Sequence, residues 1–130
     1  MKEIRVPVSP GELLDKIAIL RIKSERIGDR AKLANVRREL ALLEDAWRRD
    51  VGPEAVDLRE EELALALVNE ALWEIEDAIR EKEAARQFDA EFVALARAVV
   101  QRNDERAALK RRINTKLGST LVEEKAYRTR

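Results

Sequence analysis

Residues 69–83 read NEALWEIEDAIREKE, the middle of what the sequence predicts to be its longest helix. Leu72, Ile75 and Ile79 continue a seam begun by Leu65 and Val68, at alternating steps of three and four. That spacing puts one apolar stripe on a helix packed against a partner helix. Beside it runs a second line, Glu62, Asn69, Trp73, Glu76, Arg80 and Glu83. At about 100° per residue these positions sit at one edge of the buried face. The other edge, Ala64, Ala71 and Ala78, is small and apolar. A helix bordered by Asn, Trp, Glu and Arg on one side only is asymmetric about its core, so the polar border is where a function is sought.

Outward from this helix the chain predicts a single domain over 1–130. Residues 1–9 form an extended arm, 10–117 a helical bundle and 118–130 a C-terminal tail. Ile4, Val6 and Val8 alternate with polar neighbours, and Pro7 confines that arm to an edge. Ser9-Pro10-Gly11-Glu12 reads as a capping box opening helix 1, which runs to about Ile27 with Leu13, Leu14, Ile17, Leu20 and Ile27 inward and Gly28 as its stop. Asp29 caps helix 2, Arg30 to Asp50, with Leu33, Val36, Leu40, Leu43 and Trp47 on one face and Asn35 beside it. Val51-Gly52-Pro53 begins a linker, Asp57 caps helix 3, and helix 3 continues to about Arg86. Asp89 caps helix 4, Ala90 to Leu117, with Phe88 and Phe92 spaced as a hydrophobic staple and Gly118 as the stop. The fold class is therefore all-α: an antiparallel four-helix bundle whose helix 3–helix 4 hairpin outreaches helices 1 and 2. The protruding end needs cover for its apolar seam, which predicts a homodimer or another protein partner.

Composition narrows the chemistry. The chain has 26 basic and 26 acidic residues and 40% charged residues, with only 4% aromatic, so the core is aliphatic and charge density is that of long helices. Zero net charge predicts no general nucleic-acid binding. Cys and His are both absent, which removes thiolate zinc sites, cysteine nucleophiles and histidine bases. The N-terminus has no apolar signal core and no run is long enough to span a membrane, so the expected setting is the cytoplasm.

Two groups could carry a function. Glu70, Glu74 and Asp77, at i, i+4 and i+7, could hold a hard cation such as Mg²⁺, although the angles put them on the outermost face, as an ordinary solvated acidic surface would be. No other cofactor is implied. Along helix 4 the three-four steps pass from Leu95 and Val99 through Asn103, Arg106 and Lys110 to Ile113, with Asn114 next to it. Folding the hairpin at 87–89 sets Asn69 and Trp73 opposite Asn103, Arg106 and Ala107, while an ion pair is expected between Glu76 and Arg80. Asn69, Trp73, Glu76, Arg80, Asn103, Arg106, Lys110 and Asn114 therefore form either a polar device fixing helix register or a pocket for a small anion such as a phosphometabolite. The basic clusters Arg37-Arg38, Arg48-Arg49 and Lys110-Arg111-Arg112 have no aromatic platform, and the last two lie near helix C-termini, where cations meet the macrodipole.

The phrases GELLDKIAILRIKSERI, NEALWEIEDAIREKE, NDERAALKRRIN and LGSTLVEEKAY together resemble a family of small bacterial proteins described as a domain of unknown function. The resemblance spans nearly the whole chain and implies a bacterial source; it transfers no activity and no catalytic residues, and the polar positions inside those phrases, such as Asp15, Lys16, Asn69, Trp73, Glu76, Asp77, Asn103, Asp104, Arg106, Lys110 and Asn114, are candidates only. Helical nucleotide pyrophosphohydrolases carry EExxE and ExxD on separate helices, whereas here Glu60-Glu61 meets Ala64 at the third acid and Glu74-x-x-Asp77 shares the same helix. LLDKIAILRIKSERI, with Arg21 and Arg26, is similar in texture to helical chorismate mutases, but the chain order and helix lengths do not follow them.

Overall fold

A computed structural model describes residues 2–53 and 56–128; of the predicted linker, 54 and 55 lie outside the described residues. Four helices and no strands occur among them: α1 Pro10–Arg26, α2 Arg30–Asp50, α3 Arg59–Ala84 and α4 Ala90–Lys116. The all-α bundle is as the hydrophobic periodicity requires, and α2 has the expected limits. Its face of Leu33, Val36, Leu40, Leu43 and Trp47 is half-buried, while Asn35 is exposed and takes no part in the interface.

Three of the four starts take the expected cap residue, although the capping box at Ser9 is only half made, the Glu12 carboxylate turning to Lys110 instead of the Ser9 N–H. Ser9 Oγ accepts the Glu12 N–H, Asp29 that of Ala31, and Asp89 that of Phe92. The start of α3 is displaced: Leu58 occupies the cap position and Asp57, one residue earlier, accepts the Arg59 N–H at 3.0 Å. Phe88 and Phe92 meet edge to face, 5.3 Å between ring centres.

Helix ends differ more from expectation. α1 stops at Arg26, with Ile27 extended, and Gly28 is not left-handed; the stop is made by the extended Ile27 and the Asp29 cap that follows. α4 ends in a Schellman turn, Ser119 N–H donating to Asn114 O and Gly118 N–H to Thr115 O, with Gly118 at φ 64°. α3 ends the same way two residues short of Arg86, and Arg86 itself takes the left-handed position at φ 54°. Lys82 ties this turn together through Asp89 and Glu91 at 2.9 and 3.0 Å.

The core is built by α1, α3 and α4. Leu14, Leu58, Leu65, Val68 and Ile113 form its centre, with Ala18, Trp47, Val56, Leu109 and Leu117 packed around them. α1 lies in the groove of the α3–α4 hairpin, running with α3 and against α4; α2 packs on α1 alone among the described residues. Leu13 and Ile27, expected inside, are only half-buried, and Ile22 is buried in their stead. The last polar contact of α1 along α3 is Arg26 with Glu74, so the hairpin continues past α1 to its turn near Phe88.

Candidate functional site: a polar seam between α1 and the hairpin

Within the polar border of α3, Asn69 faces α1. Asn69 is buried and donates from Nδ2 to Asp15 Oδ1 at 2.9 Å, and Asp15 is itself buried. Arg106 of α4 closes the triangle, its guanidinium donating to Asn69 Oδ1 at 3.4 Å and lying 3.9 Å from Asp15 Oδ2. A carboxylate inside a bundle demands such partners, because a buried charge without them would cost several kcal/mol in desolvation. The polar residues that interrupt the three-four steps of α4 thus belong to a second face: Leu109 and Ile113 serve the apolar core, and Arg106, Lys110 and Asn114 serve α1.

At the start of α1 a second set forms. Gly11 N–H donates to Asn114 Oδ1 at 2.7 Å, and both residues are buried. Lys110, 8% exposed, holds Glu12 at 2.5 Å and Glu123 of the tail at 2.7 Å. Burial pulls the Lys110 ammonium toward neutrality, but its hydrogen bonds to Glu12 and Glu123 outweigh that and hold it above the usual lysine range. Glu61, 0% exposed, sits four residues before Leu65 on the same stripe. One of its oxygens is met by Lys116; the other has no hydrogen-bond partner among the described residues, with the Arg112 guanidinium 3.8 Å away.

Of the residues marked in the sequence, Asn69 and Arg106 meet directly, and Lys110 and Asn114 line up along the same side of α4, against the first turn of α1. Asn103 is half-buried. Trp73 is half-buried one turn beyond Asn69, with the Arg26 guanidinium 5.8 Å above its ring. Glu76 and Arg80 are exposed and, contrary to expectation, form no ion pair among the described residues. Glu74 and Asp77 are exposed, Glu70 is half-buried, and Glu74 is engaged by Arg26, whose pKa that hydrogen bond raises. No three acidic side chains among the described residues cluster closely enough to hold a metal ion.

Gly11, Glu12, Glu61 and Glu123 are not marked as site members in the sequence, whereas Asp15 is one of the candidate polar positions of the resembling phrases. Asp15 had one legible signal, an acid between Leu14 and Ile17 on an otherwise apolar stripe. Glu61 had another, its register with Leu65. Glu123 had none, because its place depends on how the tail returns.

The tail from Ser119 runs back along the outer side of α4. Arg111 binds the Glu123 carbonyl at 3.3 Å and the Glu124 carboxylate at 3.4 Å, and Lys125 reaches Asp104 at 2.7 Å. Between tail and helix lies a cleft of about 550 Å³, whose polar lining includes Lys110, Arg111, Asn114, Ser119 and Lys125.

No described helix is long and apolar enough to cross a membrane. Comparison with curated proteins and with solved structures gives no match. The model of a family of unknown function, DUF6165, matches residues 4–130, and the chain belongs to that family.

Proposed function

We propose that this protein is a non-catalytic helical module of the bacterial cytoplasm that self-associates through the free end of its α3–α4 hairpin. The observation that carries the reading is the pair Val93 and Val100, 54% and 61% exposed, on an outward flank of α4. Seven residues apart, with Ala96 between them, they continue the repeat a helix shows to another helix. Exposed Phe88 sits at the same end. Single exposed apolar residues are ordinary, but a repeat on one helix flank marks an interaction surface. A second copy suits it because two hairpins laid side by side about a two-fold axis complete a four-helix bundle from two incomplete ones. The Asp15–Asn69–Arg106 group supports the same reading: its polar ends meet one another inside the fold, as in a device that sets how α1 seats in the hairpin.

Sedimentation equilibrium of the full chain tests this. The expected result is a dimer at micromolar concentration that becomes monomeric in Val93→Glu/Val100→Glu, with the helical signal and melting temperature of the monomer preserved. A wild-type chain that stays monomeric at about 100 µM, weaker than a Kd of that order, would remove the proposal.

A further inference from the structure

The cleft between α4 and the C-terminal tail is built over a buried cation. Lysine is rarely buried, because its ammonium loses hydration there. Lys110 is met from two directions by groups of unequal permanence. Glu12 is fixed in the first turn of α1, where its own N–H is held by Ser9 Oγ. Glu123 arrives on a segment without secondary structure, its side chain 58% exposed. No apolar anchor holds that segment, since Leu121, Val122 and Tyr127 all remain exposed. Its other ties are a single exposed hydrogen bond from Arg111 to the Glu123 carbonyl and two surface ion pairs, Arg111 to Glu124 and Lys125 to Asp104, which contribute little. Glu123 is therefore the easily released half of the Lys110 clamp.

We infer that the cleft is a binding site for a small oxyanion, a phosphate or carboxylate group, which takes the place of the Glu123 carboxylate on Lys110 beneath the tail. Once Glu123 swings away, Lys110 has a free donor direction toward the cleft, and Arg111 and Lys125 lie in its walls with Asn114 and Ser119 as further hydrogen-bonding groups. Asp104, the remaining acid in the wall, is held by Lys125. Ala107, Ala108 and Val122 supply an apolar side for the body of a ligand. The tail then acts as a strap whose own carboxylate competes for the site.

The test is calorimetric titration of the full chain with inorganic phosphate and, separately, with citrate, each against sodium chloride at matched ionic strength. At least one probe is expected to bind saturably, and which one binds separates the phosphate from the carboxylate source. Glu123→Gln should tighten that binding about fivefold, the factor that corresponds to a 1 kcal/mol competing surface ion pair. Amide shifts on binding should concentrate at Ser119, Val122 and Lys125 and leave Asn69 unmoved. Lys110→Met should abolish binding while keeping its helical content; if that variant does not fold, Glu123→Gln alone decides. A folded Lys110→Met that still binds, a Glu123→Gln with unchanged affinity, or no saturable binding of either probe to Glu123→Gln would overturn the inference.

Discussion

Gly11→Ala should be among the most damaging single-methyl changes in this chain. In the first turn of a helix alanine is ordinarily the better residue, by up to about 1 kcal/mol. Here a Cβ would collide with the Lys110 carbonyl oxygen and stand 2.9 Å from Asn114 Oδ1. The carbonyl belongs to the backbone of α4 and cannot rotate aside, so α1 must lift from α4. Overpacking of this kind costs about 1–3 kcal/mol. Lifting also stretches the buried 2.7 Å bond from Gly11 N–H to Asn114, and an unsatisfied buried donor costs about 1–3 kcal/mol. With the propensity gain deducted, the net loss is about 2–4 kcal/mol, or roughly 10 °C in melting temperature for a domain of this size. Gly28→Ala is the matched control. Nothing lies within 4 Å of its added Cβ and its φ is not positive, so it should gain about 0.4–1 kcal/mol through the unfolded chain. Urea denaturation of both variants, read by circular dichroism, measures the contrast. A Gly11→Ala protein as stable as the wild type would refute the close seating of α1 on α4.

Asp15→Ala should destabilise the fold by about 2–3 kcal/mol, because Asn69 Nδ2 loses its acceptor and Arg106 loses the carboxylate charge 3.9 Å away; paired with Asn69→Leu the losses should fall short of additive by at least about 1 kcal/mol in a double-mutant cycle. Arg86→Gly should stabilise by about 0.5–1 kcal/mol in thermal unfolding, since a left-handed residue with a side chain is relieved at φ 54°. The side-chain and backbone hydrogen bonds of Arg59 hold the Asp57 carboxyl down at about 2. A depressed folded pKa means its stabilising contribution is complete above the ordinary carboxylate value and is lost as pH falls toward about 2. Stability measured in acid should therefore decline less steeply in Asp57→Asn than in the wild type across that window.

Most of the architecture was written in local signals. The caps at Ser9, Asp29 and Asp89, the Gly118 stop and the seam from Leu65 to Ile79 each depend on a few neighbouring residues. The hairpin register was legible for the same reason: once its turn is located, antiparallel geometry brings Asn69 to Arg106. What stayed hidden was the third body. Sequence periodicity says that α3 has a polar edge but not which helix it meets, and α1 reads as apolar enough to belong anywhere in the core. Its two informative residues were Gly11, whose lack of a side chain permits close approach, and Asp15, whose charge must be answered across the interface. Glu61 was obscured by its neighbours, since Glu60-Glu61-Glu62 looks like a solvated helix start although only its middle member points inward. Glu76 and Arg80 misled in the opposite way, continuing a polar border that the structure leaves exposed there.

The one-sided attachment of α2 has a consequence for how the molecule breathes. With α1 as its helix neighbour among the described residues and no fully buried side chain of its own, Trp47 being only partly buried against the core, α2 can peel away while the other three helices stay assembled. Its backbone amides should trade hydrogen for deuterium well before those of Leu65, Val68 or Ile113, giving native-state opening a fixed order along the chain. Such an opening would bare the outward side of α1, a surface the resting protein keeps covered.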